Sequence, residues 1–152
     1  MQTFLPYESY ARSAAVLDRQ RLGKQRVEVL QILWTLAGET DGWRNHPAVR
    51  MWRDEEGALI RYGMAVCSEW TNRGYKDTCG DKIAYLADHF SAYEPHPTII
   101  GRMLPTEDPE WLGDLNFHMS HQSNLLRKDP AHYGPLFPGV RDDLPYVWPV
   151  RL

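Results

Sequence analysis

The chain has 152 residues, 43% hydrophobic and 24% charged, an ordinary globular composition with length enough for one well-buried core, so a single domain over residues 1–152 is expected. No apolar run approaches the roughly 18 residues that a membrane helix needs, and the N-terminus lacks the basic, apolar and small-residue order of a secretion signal, which points to the cytoplasm. The net charge of −3 and pI of about 6.0 argue against a general electrostatic attraction for polyanions. The charge is uneven, however: residues 1–53 carry eight Lys or Arg against five Asp or Glu, and residues 54–152 carry nine against fifteen. Cys67 and Cys79 form no Cys-x-x-Cys pair and read as ordinary thiols of a reducing compartment.

Met1 to Pro6 reads as a short extended lead-in, followed by a short Ala- and Ser-rich helix over Glu8 to Val16. Asp18 is the natural cap of the next helix, because its carboxylate accepts from the free amides of the first turn; that helix runs to about Ala37, with Gly38 as its left-handed stop. Asn45 reads as the cap of a helix opened by His46 and Pro47 and continuing through Trp52. After a break near Gly57, helix resumes from about Leu59 to Asn72 and ends at Gly74. Asp81 to Tyr93 gives another helical segment, with Ile83, Leu86, Ala87 and Phe90 at helical spacing. Glu94 to Pro109, with four prolines, is a long loop. Trp111 to Arg127 is helical again, and Pro135 to Pro149 wraps the surface in extended form. The fold class is therefore mainly α: a compact helical domain with a short extended N-terminus and an extended C-terminal tail.

On a helical wheel Arg21, Lys24, Glu28, Gln31 and Thr35 fall within about 80° of one another, beside an apolar arc of Leu22, Val29, Leu33 and Leu36. Lys24 and Glu28 stand at i,i+4, the spacing of a solvated surface pair. Arg26 falls inside the apolar arc, where a guanidinium must pair or face a polar cleft, and Arg19 lies on the same side; the two are placed either to share one anion or to pair with acidic residues elsewhere. Asp114, His118 and His121 share one helical face at spacing suited to metal ligands, although three polar residues there also make a hydrogen-bonded stripe. Tyr146 and Trp148 in the tail are the aromatic residues most available for stacking on bases.

Three segments carry a resemblance: Leu17-Asp18-x3-Leu22-x5-Glu28, Asn45-His46-Pro47, and Glu69-x3-Arg73-Gly74-Tyr75. In order and rough spacing they resemble the bacterial and phage pyrimidine-dimer DNA glycosylases, over about residues 1 to 90. The resemblance implies a DNA glycosylase, either monofunctional or bifunctional with AP-lyase activity, that acts on double-stranded DNA containing a damaged or modified pyrimidine; no cofactor is expected, and the chain is expected to be a monomer. It implies catalysis by the N-terminal amine, with Glu28 moving protons, and DNA contacts from Arg19, Arg21, Lys24, Arg26, Arg44, Asn45 and His46. An α-amine ordinarily titrates at about 7.7–8.0, so part of it is unprotonated at neutral pH and able to attack a sugar carbon. The chain departs from the family pattern in two places. Gln2 is too large for efficient removal of the initiator methionine, which assigns the amine to Met1 rather than Gln2, and Val27 stands where the family usually has arginine. Two other readings stay open: a nucleic-acid-binding module of the same fold without catalysis, and a metal-dependent hydrolase built on Asp114, His118 and His121.

Overall fold

The computed structural model describes residues 1–91 and 107–150, and these form seven helices and no strand. The mainly α fold is as expected from the sequence; the part of the proline-rich loop from residue 94 to 106 lies outside the described residues. Helix α1 (Tyr10–Val16) is capped by Ser9, whose hydroxyl accepts from the Arg12 amide. Helix α2 (Arg19–Leu36) starts at Asp18, whose carboxylate accepts from the Arg21 amide at 3.3 Å. It stops where Gly38 adopts φ +84° and the Glu39 amide bonds back to the Trp34 carbonyl at 2.9 Å, a left-handed cap that a residue with a Cβ adopts only under strain.

The next helices differ from the sequence reading at their ends. Helix α3 (Pro47–Arg50) is a single turn, and its cap is His46 rather than Asn45: the His46 Nδ1 accepts from the Ala48 amide at 3.0 Å. The break falls at Asp54, which takes φ +66°, and not near Gly57, which lies inside α4 (Glu56–Asn72). Helix α5 spans Gly80–Ser91. Helix α6 (Leu115–Lys128) starts four residues after the expected Trp111, because Asp114 Oδ1 accepts from the Asn116 and Phe117 amides; local capping overrides the apolar period. A further turn, α7 (Pro130–Tyr133), opens on proline with Asp129 as its cap.

Helix α4 is the hub, packed against α1, α2 and α5. Fully buried Trp52, Tyr62, Phe117 and Tyr133 fill the interior with Leu22, Ile32, Leu33 and Leu59. Tyr133 also ties α7 to the start of α2: its hydroxyl accepts from the Asp18 amide at 3.0 Å and donates to the Asp18 carboxylate. The tail follows α6 through side chains one turn apart. Ser123 Oγ accepts from the Leu144 amide at 3.0 Å, Ser120 Oγ accepts from the Val147 amide at 3.1 Å, and Asn124 Nδ2 donates to the Leu144 carbonyl at 3.1 Å.

Close packing of α2 on α4 depends on Gly63. A Cβ there would meet Val29 Cγ1 at 2.8 Å and Ile83 Cδ1 at 3.1 Å. Val29 is β-branched and stiff in a helix, so it cannot swing away. Replacing Gly63 with alanine gains about 1 kcal/mol of helix propensity but incurs about 1–3 kcal/mol of overpacking, and the second effect wins. Gly63→Ala should therefore lower the free energy of unfolding by about 1 kcal/mol in urea denaturation; a more stable variant would show that the interface yields without strain.

Candidate active site at the buried N-terminus

Gln2, Thr3, Phe4 and Leu5 run extended through the interior although no described strand lies beside them. A buried backbone without sheet partners must find side chains to bond, and it does. The Phe4 amide donates to Gln25 Oε1 at 2.9 Å, and Gln25 Nε2 donates to the Gln2 carbonyl at 2.9 Å. The Tyr62 hydroxyl lies 2.8 Å from the Phe4 carbonyl and 2.7 Å from Gln25 Oε1. Trp52 Nε1 donates to Thr3 Oγ1 at 3.0 Å, and Gln122 Nε2 donates to the Pro6 carbonyl at 2.8 Å.

His118 and His121 hold Leu5 from both sides. The Leu5 amide donates to His121 Nδ1 at 2.9 Å, and His118 Nδ1 donates to the Leu5 carbonyl at 2.8 Å while its Nε2 accepts from the Gly113 amide at 2.9 Å. These bonds, with Asp114 engaged as a helix cap, take the place of the metal site weighed from the sequence. No group of three or more metal-binding side chains occurs among the described residues. The hydrogen-bonded stripe is the reading that holds.

The segment delivers Met1 to a cleft of about 390 Å³. Met1, Gln2, Phe4, Gln25 and Glu28 line it from the N-terminus and α2, Arg21 and Lys24 add cations, and Lys128 and Tyr146 enter from α6 and the tail. Glu28 is only 6% exposed, so the solvated-surface reading of its helix face fails at this residue. Its Oε1 stands 3.8 Å from Lys24 Nζ, whose side chain is 73% exposed, a pair of modest strength at that distance. Its Oε2 is buried with no hydrogen-bond partner. An unpartnered carboxylate oxygen in a cleft is an acceptor with capacity left over. Desolvation pushes the Tyr146 phenol above its ordinary range, leaving it protonated at neutral pH.

The other residues singled out from the sequence take distinct places. Arg21 bonds Asp18 at 3.1 Å and still lines the cleft. Arg19 stands over the Tyr75 ring, 5.4 Å from its centroid. Arg26 does not join it on a shared anion: its guanidinium bonds Asp77 at 2.7 Å, only 13% exposed, and covers the Trp70 ring at 4.4 Å. The Asp77 carboxyl is held below its usual range by Arg26 and by the Cys79 and Gly80 amides, although its burial acts the other way and more strongly than any one of these bonds. Arg44 and Asn45 are exposed on the turn before α3. His46 caps that helix between the rings of Trp43 and Trp148. Burial lowers the His46 pKa, the N-terminal ammonium lowers it further and Glu28 opposes them, so this histidine lies within the field of both groups in the cleft.

Sequence reasoning missed Gln25 and did not assign Lys128 to the site. Gln25 had a signal: it stands three residues after Leu22 and four before Val29, on the apolar stripe, where a polar side chain must have a buried partner. Lys128 and Tyr146 reach the cleft only through tertiary packing.

The grip on Leu5 has a pH signature. His121 has an ordinary pKa of 6.5, and burial pushes it down to about 3 in the folded chain. Between those values the unfolded state binds a proton that the folded state does not, so this contribution to stability is complete above pH 6.5 and is lost as the pH falls towards 3. His121→Gln should flatten the acid limb of the stability profile in that window by up to about 1.4 kcal/mol per pH unit, measured by denaturation between pH 7 and 4. Equal acid slopes in the two proteins would contradict a neutral buried His121.

Residues 1–83 match the family described as pyrimidine dimer DNA glycosylase. No curated protein and no solved structure matches the chain. The matched stretch takes in the buried N-terminal segment, α2 with Gln25 and Glu28, and the turn at Asn45 and His46, and ends before Lys128 and Tyr146. With more than half of its length matched, the chain belongs to the pyrimidine dimer DNA glycosylase family, a family of enzymes that act on DNA carrying damaged pyrimidines.

Proposed function

We propose that this protein is a single-domain, monomeric DNA glycosylase with AP-lyase activity, in which the Met1 α-amine is the nucleophile and Glu28 the proton carrier. One observation carries the reading: Met1 and a buried carboxylate with an unpartnered oxygen line the same cleft. The unprotonated amine adds to C1′ of the damaged nucleotide, and the C1′–N bond breaks with its electron pair leaving on the base. Loss of the amine proton and opening of the C1′–O4′ bond, with a proton delivered to O4′, give the Schiff base. Removal of a C2′ proton then expels the 3′ phosphate. Glu28 as carboxylate stabilises the developing cationic sugar, accepts one of these protons and returns it.

The substrate in this reading is double-stranded DNA, opened at the damaged site so that C1′ reaches the cleft. Lys24 and Arg21 at the cleft, together with Arg19, Arg44, Asn45 and His46, are assigned to the phosphates and to positioning, whereas Arg26 is committed to Asp77. These local cations explain how a chain of net charge −3 can hold DNA at one face. No helix among the described residues is long and apolar enough to cross a membrane.

Borohydride reduction of the full-length protein on a duplex with one abasic site should leave a covalent adduct that mass spectrometry assigns to Met1. Glu28→Gln should lower base release and strand cleavage by about 10²–10⁴-fold while the duplex is still bound. DNA binding without any adduct would set the amine mechanism aside in favour of a hydrolytic glycosylase or a binding module.

A further inference from the structure

The buried amide of Gln25 is one residue of a neighbouring strand in miniature. Its Nε2 donates to the carbonyl of Gln2 and its Oε1 accepts from the amide of Phe4, both at 2.9 Å, so it grips the two backbone groups that flank Thr3. One residue of a parallel β-strand bonds its partner in this way, through the carbonyl before and the amide after the facing residue. The orientation of the amide is fixed, because the Phe4 amide can only donate and the Gln2 carbonyl can only accept, which places Oε1 at the first and Nε2 at the second. At 1% exposure no water competes for these bonds. Gln25 also stands three residues before Glu28 on α2, on an adjacent part of one rigid helix face.

We propose that Gln25 is the positioning residue of the active site: by holding Gln2 and Phe4, it sets the register at which the Met1 amine meets Glu28. The inference rests on the amine and glutamate reading above. The group that grips the strand and the group that faces its end belong to the same turn region of one helix, so the amine and the carboxylate keep their spacing when the rest of the molecule moves. Met1 is the next residue outward from the gripped Gln2 carbonyl, leaving little chain in which the amine can wander. Glutamate at this position lacks the donor for the Gln2 carbonyl, and asparagine is one methylene too short to span both groups. A glutamine that only filled the core would have no relation to the rate of amine chemistry.

The test is single-turnover borohydride trapping on an abasic duplex with the full-length protein, alongside the dissociation constant for the same duplex. If the wild-type protein gives no adduct, the underlying amine reading fails, whatever the role of Gln25. With that adduct established, Gln25→Met should lower the trapping rate by about 100-fold, the scale of a displacement near 1 Å, with the dissociation constant changed by less than about three-fold. Tyr62→Phe removes only the hydroxyl whose one proton lies between the Phe4 carbonyl and Gln25 Oε1, which loosens the same grip, and should slow trapping by about five-fold, again with binding retained. A cooperatively folded Gln25→Met protein that traps at the wild-type rate overturns the proposal, as does a loss of rate matched by an equal loss of binding. Should Gln25→Met fail to fold, Tyr62→Phe decides: a slower rate with intact binding supports the proposal, and an unchanged rate overturns it.

Discussion

A buried backbone segment with no strand beside it sets the terms for the rest of this molecule. Each amide and carbonyl of residues 2 to 6 that leaves water must be given a partner, since an unmet buried group costs about 1–3 kcal/mol, more than a made bond contributes. Gln25, Tyr62, His118, His121 and Gln122 supply those partners from α2, α4 and α6, and Trp52, in the turn after α3, donates to the Thr3 hydroxyl. The N-terminus is therefore threaded between helices from both halves of the chain, and the helices are held in register by what they bond to in common. This explains why Gln25, His118 and His121 occupy interior faces of α2 and α6.

The same constraint connects fold to chemistry. An N-terminus is ordinarily a frayed, solvated end. Here the chain is held up to its second residue, and Met1 lines the same cleft as a buried carboxylate left one oxygen short of a partner. Pre-organisation of that kind is what a nucleophile and a proton carrier require, because little motion remains to be frozen when the substrate arrives. The tail takes part as well. Ser120, Ser123 and Asn124 hold it along α6, and it carries Tyr146 into the cleft and Trp148 against His46.

Much of the scaffold was legible from local rules. The Asp18 cap, the glycine stops at Gly38 and Gly74, and the apolar period of α2, α4 and α5 are decided within a turn or two of chain, and the structure follows them. Boundaries failed where two local rules competed: at Asp114, whose capping carboxylate displaced the start of α6, and at His46, whose ring took the capping role assigned to Asn45. The site was half legible. Glu28 followed from the spacing of short motifs, yet its burial did not, because the i,i+4 Lys24 looked like the partner of a surface carboxylate. Arg26 was visible as a misplaced charge on an apolar arc, but only tertiary structure brings Asp77 to it, across 51 residues of sequence. Nothing in the order of residues announces that Lys128 and Tyr146 share a cleft with Met1.

The central claim is that the position of the N-terminal amine, set by the buried segment behind it, determines the chemistry. The most direct measurement adds one glycine ahead of Met1 and compares abasic-site cleavage and duplex affinity with those of the unextended protein. One residue moves the amine by about 3.3–3.6 Å along an extended chain, well beyond the tolerance of a reacting pair. Cleavage falling to background with duplex affinity retained is the predicted result; cleavage at the original rate would contradict the account.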